Sequence, residues 1–161
     1  MTNLKVEFYL RLILIISLVS IISAYFIEYV LGHQPCNLCL IERIPYGLSI
    51  ILITLNYFFK KNEKFIILLL ILTFFFSFAI SAYHLGIEQG LFEESAICSL
   101  KNTTGIISKE EILKQLQEKT VSCKDVTFRI FGLSLTSINI LLSFILIILL
   151  TKIYISYEKN K

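Results

Sequence analysis

An all-α integral membrane four-helix bundle is the fold this sequence predicts, and three observations predict it. Hydrophobic residues make up 56% of the 161 and charged ones only 17%, against about 25% charge in an average soluble domain. The apolar residues gather into four stretches, 12–31, 44–59, 65–85 and 130–150, each within or just below the roughly 17–25 residues that cross a hydrocarbon core. Inside those stretches Glu28 is the only Asp, Glu, Lys or Arg. A chain this short leaves little for a separate water-soluble core, so the bundle, residues 1–161, is the single domain.

The first stretch follows Lys5 and Arg11 and so resembles a secretory leader. It is longer than the 7–15-residue apolar region of a leader, and residues 32–43 lack a small-residue cleavage site, which predicts a retained span. The second stretch is the shortest and draws on Leu40 and Ile41, or on a thin local bilayer, for length. The third ends in Tyr83-His84-Leu85, where Tyr83 suits the membrane interface. Residues 86–129 then form a long polar loop. Within it Ser108-Lys109-Glu110-Glu111 fits a capping box, and Ile112, Leu113 and Leu116 stripe one face of a short amphipathic helix running to about Lys119. Such a helix covers the bundle or lies flat on the membrane surface.

Lys and Arg in the short flanks set the orientation. The amino terminus, the 60–64 connection and the carboxyl-terminal tail together hold eight basic and three acidic residues. The 32–43 and 86–129 loops and the outer ends of the spans hold seven basic and nine acidic ones. Both termini are therefore expected in the cytoplasm and both larger loops outside it.

All four cysteines fall in those outer loops. Cys36 and Cys39 form a C-x-x-C after the first span; Cys98 and Cys123 lie in the long loop. On an oxidising face an even number of cysteines points to disulfides. Four cysteines allow three pairings; proximity favours Cys36–Cys39 and Cys98–Cys123, and the resting connectivity stays open. A C-x-x-C disulfide closes a tight, reducible ring, and Pro35 stiffens the approach to it. With a helix starting near Cys39, Arg43 stands one turn along the same face; helix terminus and guanidinium both favour a thiolate. The plainer reading makes Arg43 an interfacial anchor paired with Glu42 or a lipid phosphate. His84 is either a satisfied boundary residue or part of a site, since ionisable groups at such depth commonly mark one. A structural zinc site needs four ligands, and Cys98, Cys123, His33 and His84 lack the paired spacing to complete one with the C-x-x-C, so no metal is expected.

With these residues in hand, the chain resembles the disulfide-bond-formation protein B (DsbB) family of bacterial inner-membrane thiol oxidases. Gln34-Pro35-Cys36-x-Leu38-Cys39 followed by Glu42-Arg43 is similar to the family's first-loop motif, and Tyr83-His84 with Gly86 and Glu88 is similar to its third-span ending. The resemblance covers nearly the whole chain and implies a protein-dithiol:quinone oxidoreductase. It implies a periplasmic thioredoxin-fold oxidase of the DsbA type as partner, attacking Cys98–Cys123 with Cys98 in the mixed disulfide. Cys123 would then attack the Cys36–Cys39 pair at Cys36. Cys39 would face a bound quinone, ubiquinone or menaquinone, supported by Arg43 and neighboured by His84. The Lys/Glu-rich interval between Cys98 and Cys123 departs from the best-known members and leaves a general or a specialised partner oxidase open. Two alternatives stand beside this one. A vitamin-K-epoxide-reductase-like enzyme carries its C-x-x-C near the chain end, unlike this sequence. A non-enzymatic membrane scaffold would hold two structural disulfides and tolerate Lys at position 43.

Overall fold

The computed structural model describes residues 2–58, 63–94, 98, 122–124, 128–130 and 132–159. Its order is α1 (Thr2–Tyr29), α2 (Asn37–Ile41), α3 (Ile44–Phe58), α4 (Glu63–Glu88), β1 (Arg129–Ile130), β2 (Leu133–Ser134) and α5 (Leu135–Lys159). Among the described residues, four helical segments are long and apolar enough to cross a membrane: Val6–Tyr29, Asn37–Phe58, Glu63–Glu88 and Leu135–Ser156. A helix satisfies its own backbone donors and acceptors, which is what hydrocarbon requires of a spanning segment. The fold is the all-α membrane bundle its composition implies. The amphipathic helix expected at 108–119 lies outside the described residues.

Helix ends follow local chemistry. After α1, the amides of Val30 and Leu31 fold back on the Phe26 carbonyl, and Gly32 turns the chain at φ +74°. α2 begins where Cys36, in extended backbone, accepts the Cys39 amide on its own sulfur. Its single turn precedes α3, so the second span starts at Asn37 rather than at residue 44. The two are not one continuous helix, because Arg43 N–H bonds to the Leu40 carbonyl and closes a tighter turn. Pro45 sits in the first turn of α3, where its missing N–H is tolerated but denies Ile41 a helical partner. α4 ends at Glu88, and the turn after it passes through Gly90, whose φ of +75° suits only a residue without Cβ at low cost.

The fourth span differs from the apolar stretch at 130–150. Ile130 belongs to β1, which pairs antiparallel with β2 in the register Arg129↔Ser134 and Ile130↔Leu133, and Gly132 turns the hairpin at φ +83°. Ser134 closes β2 and caps α5, its hydroxyl accepting the Ser137 amide at 3.2 Å. The helix therefore starts at Leu135 and runs on past residue 150.

The core lies along the middle of the bundle: Leu10 and Ile13 of α1, Ile53 of α3, Ile67, Leu70 and Phe74 of α4, and Leu146 and Leu150 of α5 are fully buried. Serines let the backbones close in, as small residues do between membrane helices. Ser49 meets Ser17 at 2.8 Å and Ser143 meets Ser77 at 3.0 Å. α4 and α5 form the main seam and α1 lies along α3; α1 and α5 touch sparsely. That sparse seam bounds the cavity described next.

Candidate functional site: two cysteine pairs over a buried polar network

One end of the bundle holds every described cysteine. Cys36, Cys98 and Cys123 are buried with Leu38 and Ile87 in one cluster, and Cys39 packs against it. The Cys36 and Cys39 sulfurs are 2.8 Å apart. Two thiolates on one tetrahedral zinc stand about 3.7 Å apart, given a Zn–S bond near 2.3 Å, so this spacing suits a pair that closes to an S–S bond of about 2.05 Å. The ligand atoms of Cys36, Cys39 and His84 do lie within 4.8 Å of one another, but the sulfur spacing favours disulfide chemistry. Cys98 hydrogen-bonds to Cys123, whose sulfur also receives the Leu38 amide. Glu94, after α4, binds the segment around Cys123 through the Ser122 hydroxyl and the Lys124 amide at 3.2 Å. Those bonds, Ser122 foremost, hold the Glu94 carboxyl below its usual range.

The two loops give their thiols opposite character. The hydrogen bond with Cys39, and after it the His84 imidazole, hold Cys36 at about 4 against burial, from the ordinary 9.0. Burial first, then the hydrogen bond with Cys98 and the charge at Cys36, push Cys123 up. Of the two C-x-x-C cysteines, Cys36 is thus the helix-capping thiol next to a base. The sequence pointed to Cys39 for that environment, through Arg43.

Arg43 is engaged elsewhere. Its Nη1 meets Glu28 Oε2 of α1 at 2.5 Å, and its guanidinium carbon stands 5.1 Å from the centre of the Tyr25 ring. The plainer reading offered Glu42 or a lipid phosphate as its partner; the carboxylate it pairs with is Glu28. Break and turn at residues 42–43 send Glu42 inward and Arg43 toward α1.

Glu42 enters a network on His84. Glu42 Oε1 is 2.8 Å from His84 Nδ1, and Cys36 Sγ is 3.5 Å from Nε2. Thr136 Oγ1 lies 3.3 Å from Nδ1 and donates to Glu88 Oε1 at 2.5 Å. Asn139 Nδ2 donates to Glu42 Oε2 at 3.0 Å and to Ser81 at 2.7 Å, while the Tyr46 hydroxyl donates to Asn139 Oδ1. Sequence reading missed Thr136 and Asn139 altogether. Their only signal is polar residues three apart at the start of an apolar helix, one turn of the same face.

Beside these groups lies a cavity of about 350 Å3. Val19, Ala24 and Ile27 of α1 and Leu135 and Ile138 of α5 give it apolar walls, and Cys36, Cys39, Arg43, His84 and Cys123 stand on its wall. Its volume is in the range of small-molecule sites, and apolar walls with a few convergent polar groups are what such sites present. A quinone suits it: the flat ring needs apolar walls, and each ring carbonyl needs a donor.

Four membrane-length helices with four cysteines gathered at one end define a multi-pass membrane thiol protein. The family model described as disulfide bond formation protein DsbB matches residues 7–153, and the chain belongs to that family. It is 32% identical over 157 residues to an uncharacterized protein of Rickettsia prowazekii (strain Madrid E), covering 94% of this chain and 90% of the relative. No solved structure matches the chain. Family membership connects it to disulfide formation in the membrane and to oxidoreductase chemistry.

Proposed function

We propose that the protein is a protein-dithiol:quinone oxidoreductase of the bacterial inner membrane, with both termini cytoplasmic and residues 32–43 and 86–129 in the periplasm. The observation that carries this reading is the gathering of Cys36, Cys98 and Cys123 in one buried cluster beside Cys39, against an apolar cavity. A reduced thioredoxin-fold oxidase of the DsbA type delivers two electrons. Its thiolate attacks Cys98 and displaces Cys123, and its second thiol resolves the mixed disulfide. Cys123 attacks Cys36, and Cys39 leaves as a thiolate on the cavity wall; Cys98 then attacks Cys123, which restores the Cys98–Cys123 bond and frees Cys36, so that Cys36 and Cys39 hold the two electrons. The bound quinone, ubiquinone or menaquinone, supplies a two-electron, two-proton acceptor. Each exchange needs a thiolate attacker and a good thiolate leaving group. A low Cys36 value suits the closing exchange, in which Cys36 is the thiolate that leaves.

In this reading Arg43 offers the acceptor's carbonyl a charged donor, held in place by Glu28 and Tyr25, and His84 borders the same space. The test mixes detergent-purified protein, a quinone and a reduced thioredoxin-fold dithiol protein, and follows quinone absorbance. Reduction that needs the dithiol, Cys98 and Cys39 supports the relay; no reduction, with the cysteines unchanged afterwards, sinks it. Arg43→Lys keeps the charge and loses the planar fork; it is expected to raise the quinone KM about tenfold, and unchanged quinone kinetics would return Arg43 to an anchor.

A further inference from the structure

Glu42, His84, Glu88 and Asn139 are costly residues to enclose in a lipid-embedded bundle, because an ionisable group there is tolerated only when paired. Binding a quinone ring does not require this many. Their hydrogen bonds also fix one tautomer. His84 Nδ1 faces the Glu42 carboxylate at 2.8 Å, so Nδ1 carries a proton and donates it. The Thr136 hydroxyl gives its own hydrogen to Glu88 and so meets the same nitrogen as an acceptor. In the neutral ring Nε2 is then left with its lone pair, and that lone pair faces Cys36 Sγ at 3.5 Å. Asn139 braces the other oxygen of Glu42. Histidine poised by a carboxylate against a thiol is the arrangement that activates nucleophiles generally.

We propose that Cys36, His84 and Glu42 form a proton-transfer triad: Nε2 of His84 takes the Cys36 thiol proton whenever the Cys36–Cys39 pair is reduced, and Glu42 is the positioning residue that holds the ring. The inference deepens the dithiol:quinone reading and rests on it for the fate of that proton. Oxidising the pair forms one S–S bond and releases two electrons and two protons. The electrons go to the quinone acceptor, the Cys36 proton follows from Nε2, and the Cys39 proton supplies the second. Glu88 Oε1, 3.8 Å from Nε2, offsets the positive charge while the ring holds its extra proton. The low value at Cys36, to which His84 contributes, agrees with this assignment. The titratable and charged groups facing His84 are Cys36 and Glu42 from the α2–α3 region and Glu88 from α4, with Thr136 as the polar group from α5. Cys39, Cys123, Tyr46 and the Arg43–Glu28 pair stand further round the cavity.

Two measurements on the full chain in detergent test it. In 15N spectra of the imidazoles, with His33→Gln assigning the two rings, oxidised protein is expected to show His84 neutral with its proton on Nδ1. Reduction should add a second proton at Nε2. Alkylation of Cys36 in reduced protein, read by peptide mass, is expected to slow at least tenfold at pH 6 in Glu42→Gln and to recover in part in Glu42→Asp. A ring protonated on Nε2 in the oxidised protein overturns the triad, as does an unmoved alkylation profile in folded Glu42→Gln. If Glu42→Gln does not fold, the wild-type spectra decide. Neither readout needs quinone or partner. Normal spectra and thiol profile with no quinone reduction would strike the relay, whereas full quinone reduction with the wrong tautomer would strike the triad alone.

Discussion

Phe74 and His84 lie on the same helix, about 15 Å apart along its axis, and their surroundings are opposite. Around Phe74 the helices meet through aliphatic side chains and an edge-on contact with Tyr46, with hydroxyl pairs where backbones come closest. Around His84 they meet through two carboxylates, an amide and a thiol. Many side-chain sets of similar volume fill the first region. The second has few solutions, since each buried polar group left without its partner costs about 1–3 kcal/mol. A membrane bundle of ordinary stability needs only the first kind of region. The second kind points to chemistry.

The widest separation to look for is in acidity at the thiol end. In reduced protein, alkylation of Cys36 should stay fast as pH falls and decline only near pH 4, because its thiolate persists on the alkaline side of that value. Cys123 should remain a thiol even beyond pH 9, since its value is raised. Coincident profiles, followed by peptide mass across the pH range, would erase the electrostatic difference between the loops. Next in size, Phe74→Ala is expected to lower stability by about 3–5 kcal/mol, as large-to-small changes in packed cores do. The Cys36 profile of the folded fraction should not move; a shift would show the two regions coupled, and unfolding in mixed micelles measures the loss. Asn139→Leu should cost about 1–3 kcal/mol and, unlike Phe74→Ala, should slow Cys36 alkylation by loosening Glu42. The smallest effect belongs to Ser77→Ala, about 0.6 kcal/mol for one interhelical hydrogen bond in a membrane, with thiol reactivity untouched.

The bundle was legible because hydrophobicity at membrane length is a strong signal, and the cysteines, Arg43 and His84 stood out as chemistry-bearing residues at the ends of apolar stretches. Other features depend on tertiary placement. Glu28 and Arg43 are fifteen positions apart, and nothing in either flank says that α1 presents one to the other. The turn at Glu42–Arg43 had a written cue in Pro45, yet the apolar run around it suggests an unbroken helix. Ile130 and Leu133 count as span residues by hydropathy, while Gly132 and the Ser134 cap put them in a hairpin. Thr136 and Asn139 acquire meaning only once α5 is packed against α4.

The thin seam between α1 and α5, with the cavity walls on either side of it, has a consequence for how this protein would be saturated. A molecule entering by that side arrives from the hydrocarbon, so the relevant concentration is its mole fraction among lipids rather than its amount per volume of water. Adding empty vesicle lipid at fixed protein and fixed total acceptor would then slow turnover in proportion, although nothing in the aqueous phase had changed.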